Sequence, residues 1–196
     1  MEKDLEVIAA DDFYVFFRNN LLGLIKDSEL LDYISKMMVN FASAKKLSFF
    51  FDQRPDSVKL DDVWKNTDKH QAYDLFREFG DSCLFISGFY PQYVSKQKKS
   101  KLGIGYYMST GQTSYNYAVS AGNQVKSAVP NIGTVSKLST HFRSLAKSIF
   151  ELKSRVDIEV VLMPQEVVKE ISQTIYNGMH VSAYKMNERP LLRIVK

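Results

Sequence analysis

Apolar positions recur at helical spacing along most of the chain. Phe13, Phe16, Phe17, Leu21, Leu24 and Ile25 form one stripe, with Asp11 or Asp12 placed to cap it. Leu31, Ile34, Met37, Met38 and Phe41 form a second, with Ser28 as the expected cap. Residues 47–66 break the period; Pro55 and an Asp-rich run predict an irregular segment, with a short helix near Trp64 at most. The period returns over 68–90 through Ala72, Leu75, Phe76, Phe79, Cys83, Ile86 and Tyr90, and Pro91 marks the boundary. A fourth stripe, over 102–122, carries Ile104, Tyr107, Met108, Gly111, Tyr115 and Ala118. Pro130 can open a fifth, in which Val135, Leu138, Phe142, Leu145, Ile149, Leu152 and Val156 alternate spacings of three and four. Pro164 suits the first turn of a further helix through Val168, Ile171, Ile175 and Met179. The pattern predicts one all-α domain over 1–196, a helical bundle of five to six helices. The β-branched segments 157–163 and 191–196 carry the alternative of a small two-stranded appendage.

Charge changes this picture by its distribution. The net charge is +4. Residues 1–80 hold 11 basic and 15 acidic residues, and 81–196 hold 15 basic and 7 acidic ones. No carboxylate side chain occurs between Asp81 and Glu151, while eight basic residues do. Two halves of opposite sign can neutralise each other inside one fold, which is the favoured reading. They can instead leave a basic surface for an acidic partner.

Within that acid-free region, residues 82–125 carry four charges, Lys96, Lys98, Lys99 and Lys101, all in the run KQKKSK. A helix without a charged face is expected to be packed on most sides. Residues 68–125 therefore predict a hairpin at the centre of the bundle, with KQKKSK as its solvated connection. Four clustered lysines also attract phosphate without reading bases, so nucleic acid is a reading that is not favoured. The helix over 102–122 interleaves Tyr106, Tyr107, Tyr115 and Tyr117 with Ser, Thr, Gln and Asn. Such a face predicts an internal hydrogen-bond network, with a ligand pocket as the second reading.

Little else in the chain suggests chemistry. His70, His141 and His180 are far apart and lack metal-ligand spacing, so no metal and no cofactor is expected. Cys83 lies on an apolar stripe and reads as a small hydrophobe. A single cysteine and an acidic, weakly apolar start fit a cytoplasmic protein, and no 18-residue apolar run predicts a membrane span. Asp81 is expected to cap a turn or pair with a lysine. Burial near tyrosines would make it an acid–base candidate.

The run FREFGDSCLFISGFYPQYV followed by YYMSTGQTSYNYA resembles a group of uncharacterised bacterial all-α proteins. In these an LGDxxLFxxGFFP helix precedes a YYxxxGxxAY helix. The resemblance covers about 60 residues and falls on Gly80, Asp81, Gly88, Phe89, Pro91, Tyr106, Tyr107, Gly111 and Tyr115. The chain departs at Gly103 and Gly105, where those proteins often carry acids. The resemblance implies an all-α bacterial protein and brings no activity.

The expectation is a non-catalytic interaction or regulatory protein with a protein or acidic partner, a homodimer included. The residues put forward as ligand or partner contacts are Asp81, Tyr106, Tyr107, Tyr115, Lys96, Lys98, Lys99 and Lys101. The alternatives are a small-molecule binder or enzyme using the tyrosine-rich face, and nucleic-acid binding through the basic half.

Overall fold

The structure, a computed structural model, describes residues 10–41, 60–91, 103–125, 129–155, 158–160 and 192–194. These form an all-α bundle of six helices in chain order: α1 (Ala10–Leu21), α2 (Ser28–Phe41), α3 (Leu60–Asn66), α4 (Lys69–Phe89), α5 (Ile104–Gly122) and α6 (Ile132–Arg155). Two short strands, β1 (Ile158–Val160) and β2 (Leu192–Ile194), pair antiparallel with Ile158 opposite Ile194. The helical bundle and the two-stranded pair thus coexist. The helix expected after Pro164 lies outside the described residues.

α4, α5 and α6 form the centre, and the α1–α2 hairpin packs onto α4 and α6. Asp68 starts α4 by accepting hydrogen bonds from the backbone amides of His70 and Gln71 at 2.9 and 3.3 Å. Every residue from Gly80 to Phe89 is buried, so this half of α4 is covered on all sides. That explains why it carries no charge after Asp81. Phe85 anchors it, stacking on Phe41 of α2 at 4.8 Å and on Phe89 at 5.2 Å.

α5 departs from the expectation of burial on most sides. It buries a stripe of Gly111, Ser114, Tyr115, Ala118, Ala121 and Gly122. Its opposite face, Gly105, Ser109, Thr113, Asn116 and Ser120, is exposed. Its hydroxyls need no neighbour: Ser114 donates to the Thr110 carbonyl at 2.8 Å and Ser109 to that of Tyr106 at 3.0 Å. Its small residues instead let two neighbours come close. A Cβ on Gly111 would fall 2.6 Å from the Cys83 Cβ of α4 and 2.5 Å from the Phe142 ring of α6.

The heptad of α6 is spent inside the chain. Val135, Leu138, Phe142, Leu145, Ile149 and Leu152 are all buried, and Val156 lies outside the described residues. Pro130 sits two residues before α6, where Asn131 takes a left-handed φ of 63°. The Pro130 carbonyl accepts from the Tyr73 hydroxyl at 2.6 Å, which pins the start of α6 to α4.

Two capping expectations are corrected. α1 begins at Ala10, so Asp11 and Asp12 lie within its first turn rather than before it. Asp27 caps α2, accepting from the amides of Glu29 and Leu30, because Ser28 is already the first helical residue. The short helix α3 includes Trp64, whose ring lies 3.7 Å beneath the Lys69 ammonium. The rest of 47–66 lies outside the described residues.

Candidate functional site

Asp81 sits in the middle of α4 and is 8% exposed. Among the described residues it neither caps a turn nor pairs with a lysine; it is buried against tyrosines, the arrangement that makes it an acid–base candidate. One turn earlier on the same face, Arg77 reaches its Oδ2 at 3.5 Å. From α2 the Tyr33 hydroxyl donates to the carboxylate, 2.9 Å from Oδ1 and 3.0 Å from Oδ2. From α5 the Tyr115 hydroxyl donates to Oδ1 at 2.8 Å. Gly80 permits this approach: a Cβ there would fall 2.5 Å from the Tyr115 ring. One carboxylate thereby ties three helices. Arg77 also pairs with Asp74 at 3.5 Å, linking the cluster to the surface.

Burial pushes the Asp81 carboxyl up to about 6, against the pull of Arg77, Tyr115 and Tyr33; Glu78 adds to the rise. Burial and the Asp81 charge raise Tyr33 and Tyr115 well above the ordinary phenol value. Burial opposes the charge on Arg77, yet Tyr33 and Asp81 carry its pKa above the ordinary arginine value. The state that uses all three donors is the carboxylate, which only accepts. The cluster can hold or release one proton near pH 6, with its oxygens already engaged.

A second polar tie joins α5 to α6. The Ser139 hydroxyl donates to Asn116 Oδ1 at 2.6 Å and lies 3.2 Å from the Gln112 carbonyl, and Gln112 Nε2 donates to the Ser139 carbonyl at 3.2 Å. These part-buried contacts tie Gln112 and Asn116, at the edge of the exposed face of α5, to α6.

Of the residues put forward from the sequence, the structure joins Asp81 and Tyr115. Tyr106 and Tyr107 meet edge to face at 5.8 Å in the first turn of α5, roughly 12 Å along the axis from Tyr115. Tyr107 packs on Ile86. Lys96, Lys98, Lys99 and Lys101 lie outside the described residues. Sequence reasoning missed Tyr33 and Arg77. The i−4 spacing of Arg77 from Asp81 was a usable signal, whereas Tyr33 merely flanks its helix's apolar stripe. Cys83 is fully buried and burial raises its thiol pKa, so it is no ready thiolate.

Among the described residues no group of three or more His, Cys, Asp or Glu could hold a metal, and no helix is long and apolar enough to cross a membrane. No protein-family model, curated protein or solved structure matches the chain.

Proposed function

We propose that the protein is a non-catalytic interaction or regulatory protein of the cytoplasm, of the bacterial type that its helix-pair pattern resembles. One observation carries this reading: the buried Asp81 carboxylate is already engaged by Tyr33, Tyr115 and Arg77. Catalytic carboxylates need an oxygen turned to substrate. Here both oxygens bind helices together, so the cluster fixes the shape of the bundle and leaves recognition to its outside. The uncharged outer face of α5, with Ser109, Thr113 and Ser120, is where a protein partner would approach without desolvating a charge.

Site-specific photocrosslinking in the cells that make the protein tests this. A photoreactive residue at Thr113 or Ser109 should capture the same protein, and one at Lys36, exposed on α2, should not. The competing reading is a small-molecule site among the tyrosines. A metabolite class that raises the melting temperature of the wild type but not of Tyr115→Phe would establish that reading and defeat ours.

A further inference from the structure

Two exposed stripes on different helices have opposite charge and the same spacing. On α4, Asp74 and Glu78 lie one turn apart beside Leu75, which is 36% exposed. On α6, Arg143 and Lys147 lie one turn apart, followed three residues on by Phe150, which is 41% exposed. Like charges at i,i+4 oppose their own helix. Inside the chain this opposition is poorly relieved. Asp74 has loose pairs with His70 and Arg77, at 3.8 and 3.5 Å. Among the described residues, Glu78, Arg143 and Lys147 make no ion pair, and the neighbouring Glu151 is taken by Arg155. Lys137 shows how the chain treats a cation that can reach acids of its own first half: it bonds both Asp27 and Glu29, at 2.9 and 2.8 Å. Arg143 and Lys147 sit one and a half to three turns further along α6 without such a contact.

We infer that two copies of the chain associate by docking the Asp74–Leu75–Glu78 stripe of one onto the Arg143–Lys147–Phe150 stripe of the other. An antiparallel approach sets Glu78 against Arg143 and Asp74 against Lys147, because both pairs have the same i,i+4 separation. In that register Phe150 falls opposite Gln71, one turn or roughly 6 Å from Leu75, so its ring covers the end of the stripe beside the Asp74–Lys147 pair. α1 offers another exposed apolar pair, Val15 and Leu22, but the single cation Arg18 between them lacks the paired i,i+4 charges that the other two stripes share. The inference is independent of which protein, if any, approaches α5.

Sedimentation of the intact chain over a wide concentration range tests it, at low and at high salt. The wild type should associate with rising concentration, and less so in high salt. Arg143→Glu and Glu78→Lys should each weaken association about tenfold or more while leaving the melting curve nearly unchanged. Placing both changes in one chain should restore it, because each copy then offers the swapped charge to the other. A wild type that stays monomeric throughout would overturn the inference. So would association that ignores either reversal, or a double variant that associates no better than the single ones.

Discussion

The Tyr33 hydroxyl of α2 donates to the Asp81 carboxylate of α4 at 2.9 Å, across 48 positions of chain. Tyr115 of α5 reaches the same oxygen at 2.8 Å from the other side. Two tyrosines from different helices thus converge on one buried oxygen, and neither helix makes that contact without α4 holding the carboxylate between them. A carboxylate in such a place is costly unless its lone pairs are filled. The tyrosines and Arg77 supply the donors.

Removing one donor at neutral pH should therefore cost more than an ordinary hydrogen bond. Tyr115→Phe keeps the ring that packs on Gly80 and deletes the hydroxyl. At pH 7 we expect a loss of about 1.5–3 kcal/mol, the range for a hydrogen bond to a charged group. At pH 5, below the Asp81 pKa of about 6, the acid is mostly neutral and the loss should shrink. Urea denaturation at both pH values reads this directly. An equal loss at the two values would show that the hydroxyl is not bonded to a titrating acid.

The pH dependence of Asp81 itself has a definite sign. Its folded pKa, about 6, lies above its ordinary value of 3.8. Between the two the folded chain binds more protons than the unfolded one, so stability from this residue falls as pH rises. It is fully present below 3.8 and is lost through pH 6. The size is of the order of 3 kcal/mol, at about 1.4 kcal/mol per pH unit. The stability of the wild type relative to Asp81→Asn should thus decline from pH 4 to pH 7. A flat difference would mean that the three donors balance burial, and a rising one that they outweigh it.

Much of this was legible in the sequence, and the failures have physical causes. Period alone placed α4, α5 and α6, because their buried residues repeat at three and four. The heptad of α6 says that a seam exists but not whose helix fills it; α4 and α5 of the same chain do. The absence of charge had one meaning in α4 and another in α5. Residues 82–89 are enclosed on all sides. The α5 face at Ser109, Thr113 and Asn116 is uncharged and exposed, and nothing in composition separates the two cases. Asp81 and Tyr115 could be named from the chain, but their partnership could not. It depends on Gly80 bringing two helices together, and on Tyr33 arriving from a helix 48 residues away.

The internal seam makes a strong prediction for Leu145, which is 3% exposed on α6. Leu145→Asp places an unpaired carboxylate among apolar neighbours, at a cost of several kcal/mol. Against a total of roughly 5–15 kcal/mol for a domain, that is enough to unfold it or bring it close. Circular dichroism should show helix loss or a steep fall in melting temperature. A well-folded Leu145→Asp chain would mean that this position faces water or another molecule.

Gly80 and Gly105 make a paired test of the helix contact. Both are glycines within helices, and change to alanine adds intrinsic helix propensity, about 1 kcal/mol at the interior Gly80 and less at Gly105, the second residue of α5. Their surroundings differ. Gly105 has nothing within 4 Å of a Cβ, so Gly105→Ala should stabilise the fold. At Gly80 the new methyl would meet Tyr115 ring carbons at 2.5 Å. Relief requires the ring to move, and the ring carries the hydroxyl that binds Asp81. Gly80→Ala should therefore combine overpacking, typically about 1–3 kcal/mol, with partial loss of a charged hydrogen bond. It should also raise the Asp81 pKa, since a donor to the carboxylate is withdrawn. Thermal melts and a carboxyl-carbon NMR titration of Asp81 separate the two effects. A Gly80→Ala protein with unchanged stability and an unmoved Asp81 titration would show that α4 and α5 do not press together at this point.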